Sequence, residues 1–264
     1  MMPRTATLLL VLTATTASAD TVIHFKTNAP GSPEQMAIKG DKVLILSPQR
    51  EGRFVMDTAT ETVTMIDDRE KRYFQIDSQT VEQTTGMVEM MRQAMLAQLK
   101  NLPPEQRKMM EERLGITPEA TPPLPTIEIR PTTSKIKVNG VPCTLTDIVT
   151  DRRKTAEACV ATPKAAGISD TDYATMQKMF RISRKLAEKT RHMTGPAAGE
   201  FAQSLAPELD GFPMEVKDLT NGNHVIVSKI ETRKLKTSDF LPGAGYQKIN
   251  PLQEMQRLMG DGKR

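Results

Sequence analysis

Methionine is the residue type whose number and spacing could support chemistry in this sequence. The chain contains 17 methionines. Residues three or four apart lie on one face of a helix, and this spacing recurs at positions 87 and 90, 91 and 95, and 176 and 179. Clustered thioethers suit Cu(I), a surface that adapts to varied apolar ligands, or an irregular core. No Cys or His is interleaved with these methionines, so copper handling is an alternative to binding an apolar ligand.

Enzymatic chemistry has no recognisable residue pattern in the chain. The three histidines, His24, His192 and His224, stand far apart in the sequence. The chain contains neither H-E-x-x-H nor G-x-S-x-G, and it has no glycine-rich phosphate loop. We therefore predict a non-enzymatic protein with no catalytic residue, no assigned metal ligand and no cofactor.

Cys143 and Cys159 are the only cysteines in the chain. The sequence between them predicts a hairpin that turns about Asp151, midway between the two, and this symmetry places them directly opposite each other. Cα atoms at such positions are about 4.5 to 5.5 Å apart, a separation that a disulfide can bridge. The spacing is not C-x-x-C, so we predict a structural disulfide rather than a redox-active dithiol.

The first 19 residues are typical of a secretory signal peptide. Arg4 is followed by an apolar segment over residues 6–14 and by the small-residue sequence Ala17-Ser18-Ala19. We therefore predict cleavage after Ala19 and export, most simply to a bacterial periplasm, where disulfides persist. No later segment is apolar over the roughly 20 residues that a membrane helix needs, so we expect no transmembrane segment in the mature chain.

The charge of the chain does not favour nucleic-acid binding. The formal net charge is +4, the chain contains no Trp, and aromatic residues make up 4% of it. A nucleic-acid binder needs a basic stripe, and a single-strand binder also needs aromatic side chains on which bases stack. We therefore expect no nucleic-acid partner.

Two helical segments carry most of the clustered methionines. A helical insert is predicted over residues 79–115, and Pro103 ends the first of its two helices. A proline-rich linker follows over residues 116–126. The second helical segment covers residues 169–193 and is predicted to end at the glycine and proline residues of 195–199. The apolar stripe of the insert has steps of three or four: Val88, Met91, Met95, Leu99 and Leu102.

The rest of the chain is predicted to form β-structure. Its apolar segments are separated by turn residues, and links as short as those before residue 77 can join only antiparallel neighbours. Residues 43–46 are apolar on both faces and belong in the middle of a sheet, whereas the alternation over residues 62–65 predicts one buried and one exposed face. The predicted strands are 21–26, 35–39, 42–47, 53–57, 62–67, 72–76, 127–130, 134–138, 143–150, 155–161, 212–218 and 224–232.

Several motifs are spread over most of the chain: Leu102-Pro103-Pro104-Glu105-Gln106-Arg107, Gly140-Val141-Pro142-Cys143, Glu157-Ala158-Cys159-Val160-Ala161, Gly211-Phe212-Pro213 and Phe240-Leu241-Pro242-Gly243-Ala244-Gly245-Tyr246. Together they resemble a family of exported bacterial domains of unknown function. That family looks like a branch of the half-barrel superfamily of the periplasmic lipoprotein carrier LolA and the lipid-binding lipoprotein LppX. No residue here matches a lipoprotein-binding motif of the carriers, so lipoprotein carriage is not expected.

The resemblance implies an α+β fold in which a curved antiparallel β-sheet, a LolA-like half-barrel, has helices covering its concave face and an apolar cavity between them. We expect one such domain over residues 20–250, followed by a C-terminal tail at 251–264. Its predicted role is to bind a lipid, an acyl chain or an envelope protein; a structural or interaction module is a further alternative. The residues predicted to line the cavity are Met87, Val88, Met91, Met95, Leu99, Met110, Met176 and Phe180.

Overall fold

The computed structural model describes residues 19–29, 32–47, 52–107, 109, 126–204 and 209–250. Within these ranges the chain forms twelve β-strands, two long α-helices and one 3-10 helix at Thr237–Phe240, so the predicted α+β class is confirmed. The helices are α1, Ser78–Lys100, and α2, Asp170–Ser204. The strands are β1 Asp20–Thr27, β2 Gln35–Lys39, β3 Lys42–Leu46, β4 Arg53–Asp57, β5 Thr62–Asp67, β6 Arg72–Ile76, β7 Ile127–Val138, β8 Val141–Thr150, β9 Arg153–Ala161, β10 Phe212–Asp218, β11 His224–Arg233 and β12 Gln247–Lys248.

All twelve described strands belong to one sheet, in the order β12-β6-β5-β4-β3-β2-β1-β11-β10-β9-β8-β7. Two meanders, β1 to β6 and β7 to β11, lie side by side and meet where β1 pairs with β11. Every neighbouring pair of these strands is antiparallel except β12 with β6, which is parallel. The predicted antiparallel sheet is therefore confirmed, and the described strands leave it open, with β7 and β12 at its edges.

The first six strands lie where the sequence predicts them, because short turns separate them and each strand has a clear apolar pattern. The segment over 127–138 differs, since two predicted strands are joined into the single strand β7. Its register with β8 shifts between Pro131 and Lys135. Pro131 cannot donate a backbone hydrogen bond, and an edge strand tolerates it at such an irregularity.

The hairpin of β8 and β9 carries a disulfide between Cys143 and Cys159, whose Cα atoms are 5.4 Å apart. The two cysteines are bonded as predicted, but they are not directly opposite each other, because Cys159 faces Leu145 across the ladder. The register shifts between Ile148 and Val149. The symmetry argument assumed a regular ladder that turns at Asp151, whereas Thr150 pairs with Arg153 at the turn and the register shift adds one further residue, so the disulfide is diagonal.

α1 begins within one residue of the predicted start of the helical insert. The side chain of Asp77 caps it by accepting a hydrogen bond from the backbone N–H of Thr80 at 2.7 Å, which satisfies one of the free donors of the first turn. The helix ends before Pro103, as predicted. Residues 104–107 form one further helical turn. Residues 110–125 lie outside the described residues; they include the end of the second predicted helix and all of the predicted linker except residue 126.

α2 begins where the sequence predicts it, with Ser169 Oγ accepting the backbone N–H of Asp172 at 3.1 Å. Its predicted end at residue 193 is wrong, because the helix continues through Pro196 to Ser204. A proline inside a helix removes one backbone hydrogen bond, yet its fixed φ remains compatible with helical geometry. Two alanines follow Pro196, and alanine has the highest helix propensity.

The two faces of the sheet have different covers. One cluster of buried residues combines strand side chains with Met176 and Met179 of α2, and we call this side the helix face. On the opposite side, the far face, Leu235 and Phe240 pack on strand residues; residues 234–248 form a C-terminal strap. The prediction that one face of β5 is exposed is wrong, since Thr64 is 8% exposed.

Among the described helices, none combines the length and the apolar character that crossing a bilayer requires. The predicted signal peptide up to residue 18 and the predicted tail at residues 251–264 lie outside the described residues.

Candidate functional site

α2 lies across the ends of several strands of the helix face, because side chains on its successive turns contact the sheet. Three contacts hold it there: Thr21 Oγ1 to Asp172 Oδ2 at 2.6 Å, Thr175 Oγ1 to the Gly40 carbonyl oxygen at 2.9 Å, and Lys185 Nζ to Glu61 Oε2 at 2.9 Å. They belong to β1, the β2–β3 turn and the β4–β5 turn in that order. α2 therefore covers one end of the first meander.

The strand residues at that end form a fully apolar inner row, one from each of five adjacent strands. Cross-strand partners in the ladder share a face, and the row is Ile38, Val43, Met56, Val63 and Ile76. Val43 has no exposed surface and Met56 is 1% exposed. The inner row is therefore part of the core beneath α2.

A second apolar row lies two residues further along the same strands and so shares the helix face. This outer row consists of Met36, Ile45, Phe54, Met65 and Phe74, which are successive cross-strand partners. Met36 is 7% exposed, and the other four side chains are half-buried. With strands about 4.8 Å apart, the row is about 19 Å long. It is a continuous apolar stripe that the described residues cover only in part.

The helices pack closely on the sheet where α1, α2 and β6 meet. Val81 of α1 and Ile182 of α2 converge on Val63 and Ile76 around a cavity of about 20 Å³. A cavity of that size holds roughly one water molecule. An acyl chain does not fit there, so the half-covered outer row is the part of the helix face that such a chain can contact.

The predicted cavity-lining residues differ in how deeply their side chains are buried. Met176 has no exposed surface, and Phe180 is half-buried against the same helix-face cluster. Leu99, near the end of α1, is 4% exposed. Met176 is therefore a member of the helix-face core. The remaining predicted residues are not described: the side chains of Met87, Val88, Met91 and Met95 on α1, and Met110 altogether.

Four half-buried members of the outer row were absent from the predicted site: Ile45, Phe54, Met65 and Phe74. The sequence contains a signal for them, because the two-residue period of β3 to β6 places two apolar side chains of each strand on the helix face, one in each row. Placing them in one row also requires the register of the ladders, which the short turns fix.

The far face holds an ionic cluster that clamps the C-terminal strap. Arg53 donates Nε and Nη2 hydrogens to Asp68 at 2.8 and 2.7 Å, and its Nη1 donates to the backbone carbonyl of Asp239 at 2.8 Å. Tyr246 Oη donates to Asp68 at 2.9 Å. Hydrogen bonding from Arg53 lowers the pKa of Asp68, and hydrogen bonding to Asp68 raises the pKa of Tyr246.

In the described part of the chain, no three His, Cys, Asp or Glu side chains lie close enough together to bind a metal ion. Two described methionines have free thioethers, since Met90 is 67% exposed and Met109 is 63% exposed. Copper handling by the methionines of α1 stays a prediction.

The chain matches no protein-family model, and no curated protein matches it. Among solved structures, it is similar to PNGF-II in a C2 crystal form, with a TM-score of 0.40 and 10% sequence identity over 92% of this chain. The chain spans 33% of that structure. A likeness this low gives no basis for assigning a fold family or an activity.

Proposed function

We propose that this protein is a non-enzymatic, exported binder of an acyl chain, which lies along the outer row of the helix face. The observation that carries the proposal is the contrast between the rows, since Val43 of the inner row has no exposed surface whereas Phe54 and Met65 of the outer row are half-buried. A continuous apolar stripe beside a packed helix is typical of sites for apolar ligands.

The length of the outer row matches this ligand. Its roughly 19 Å is comparable to the extended length of a long-chain fatty acyl group. Phe54 and Phe74 supply flat apolar surface, and Met65 supplies a flexible thioether that adapts to the shape of a chain. The row contains no charged side chain, which favours the hydrocarbon part of a lipid over its headgroup.

The binding free energy of an acyl chain along the outer row comes from the burial of its methylene groups. Each methylene removed from water contributes about 0.8 kcal/mol, so about ten methylenes along the row contribute roughly 8 kcal/mol. Association costs at least about 4 kcal/mol of this. Contact with one side of the chain therefore gives weak binding. In this proposal the sheet is the LolA-like half-barrel, and α1 and α2 cover its concave face.

Export to a periplasm is part of the same proposal. A disulfide is compatible with an oxidising compartment, and the cysteine pair closes one here. A lipid-binding protein in such a compartment would shield a hydrocarbon chain from water between membranes.

A fluorescent fatty acid binding assay tests the proposal. The double variant Ile45→Thr with Met65→Gln keeps the β-branch at position 45 and nearly the side-chain size at position 65, and it places polar groups in the outer row. Burying each unpaired polar group costs about 1–3 kcal/mol, so the affinity should fall at least about tenfold. The matched control is Leu219→Gln in the turn between β10 and β11, where the side chain is 51% exposed.

Saturable binding by the unaltered protein and the Leu219→Gln control, together with its loss in the double variant, supports the proposal. Equal affinity in the two variants, or no saturable binding by the unaltered protein, contradicts it. Mass spectrometry of protein purified from its host adds a second readout: a stoichiometric envelope protein or copper in place of lipid favours one of the alternative functions.

A further inference from the structure

A second cavity, of about 370 Å³, lies on the far face and is separate from the proposed acyl-chain row. Its aliphatic lining comes from Ala37, Leu44 and Leu46 of the sheet and from Leu235 of the strap. The volume is within the range of small-molecule sites, which combine apolar walls with a few polar groups.

Arg53 and Asp68 line one side of this cavity and are hydrogen-bonded to each other. The guanidinium group donates two hydrogen bonds to the Asp68 carboxylate, and its Nη1 hydrogens go to backbone carbonyls of the strap, including those of Asp239 and Leu241 at 2.8 and 3.2 Å. A guanidinium has five N–H donors, so this group is engaged with the protein. It closes the cavity without offering a net charge to a ligand.

Two further charged side chains line the cavity. The Arg233 side chain is 53% exposed and forms an ion pair with Glu231, whose Oε1 lies 3.6 Å from Arg233 Nε, a separation longer than a hydrogen bond. Asp239 uses one carboxylate oxygen to accept the backbone N–H of Lys236 at 3.3 Å. The cavity therefore presents one cation and one anion beside an aliphatic wall.

We infer that this cavity binds a small zwitterion with an aliphatic side chain, such as an apolar amino acid or dipeptide. The ligand carboxylate pairs with the Arg233 guanidinium, the ligand ammonium pairs with the Asp239 carboxylate, and the side chain packs on Leu44 and Leu46. A fatty acid fits less well, because Asp68 and Asp239 place two carboxylates around the cavity and one guanidinium is already engaged. The inference is independent of the acyl-chain site.

Isothermal titration with leucyl-leucine on the full chain tests this inference. Arg233→Gln removes the cation, and Asp239→Asn removes the anion but keeps an oxygen that can accept the Lys236 N–H. Each loss of a charge-assisted hydrogen bond should weaken binding at least about tenfold. Arg152→Gln, in the exposed turn between β8 and β9, is the matched control and should bind as the unaltered protein does.

The acetylated dipeptide N-acetyl-leucyl-leucine separates the two contacts, because it lacks the ammonium group. It should bind weakly, and Asp239→Asn should not weaken it further, whereas Arg233→Gln should. Absence of saturable leucyl-leucine binding up to about 1 mM overturns the inference. Unchanged affinity in both charge variants, each checked for an unaltered thermal transition, overturns it as well. The fatty acid assay should give the same affinity for all of these variants.

Discussion

Met176 is the residue of α2 whose truncation most directly tests how the helix packs on the sheet. Its side chain has no exposed surface and belongs to the helix-face core. Met176→Ala removes buried heavy atoms and leaves a cavity that the neighbouring strands can fill only in part. Substitutions of this kind cost about 2–5 kcal/mol of unfolding free energy. For a domain of this size, a loss of about 3 kcal/mol lowers the melting temperature by about 6–12 °C.

The matched control is Met90→Ala on α1, where the same atoms are removed from a side chain that is 67% exposed. Both positions are inside helices, so the small gain in helix propensity is common to the two variants. We expect the control to change the unfolding free energy by less than about 0.5 kcal/mol. Urea titrations followed by circular dichroism measure both changes. Equal stability of the two variants would refute the argument that α2 forms one core with the sheet.

Three further predictions concern the contacts that hold the fold together. Reducing the disulfide should lower the unfolding free energy by about 3 kcal/mol on the chain-entropy model; unchanged urea transitions with and without reductant would contradict this. Because Arg53 holds the pKa of Asp68 below its ordinary value, the stability from this pair is present above about pH 4 and is lost as the pH falls through the lowered pKa. The unfolding free energy of Asp68→Asn should therefore be lower than that of the unaltered protein at pH 7 and equal to it in strong acid. An equal loss of unfolding free energy at pH 7 and in strong acid would exclude the ion pair as the cause. Thr21→Val removes the hydroxyl that donates to the buried Asp172 carboxylate at 2.6 Å and should cost about 1.5–3 kcal/mol, whereas Thr21→Ser should restore most of it; equal losses in both would point to packing instead.

The sequence was sufficient to predict the strands of the first meander, because the apolar patterns and the turn residues indicate the same strand boundaries. Each strand from β1 to β6 has its own apolar pattern and is bounded by turn residues, so neither distant contacts nor a cofactor is needed to place it. Val43 and Leu44 illustrate this, since the sequence predicts that both faces of β3 are covered, and these residues are buried at 0% and 6% exposure.

The errors occur where long-range contacts or local irregularities decide the structure. The far face was expected to be exposed at β5, but Phe240 of the strap, which has no periodic pattern around it, is 2% exposed and belongs to one buried cluster with Ile66 of β5. The diagonal geometry of the disulfide was not predicted, because the register shift inside the hairpin has no sequence signature. The outer row was missed because its members are one residue from each of several strands, and they form a stripe only after the strands pair.

Photocrosslinking with a fatty acid that carries a diazirine along its chain is the most direct test of the proposed acyl-chain site. After irradiation and proteolysis, mass spectrometry locates the labelled residues. We expect label on Ile45, Phe54, Met65 or Phe74, with further label on α1, and we expect excess unlabelled fatty acid to compete with it. Label confined to the far face, or label that excess fatty acid does not reduce, would contradict the proposal that the outer row holds a hydrocarbon chain.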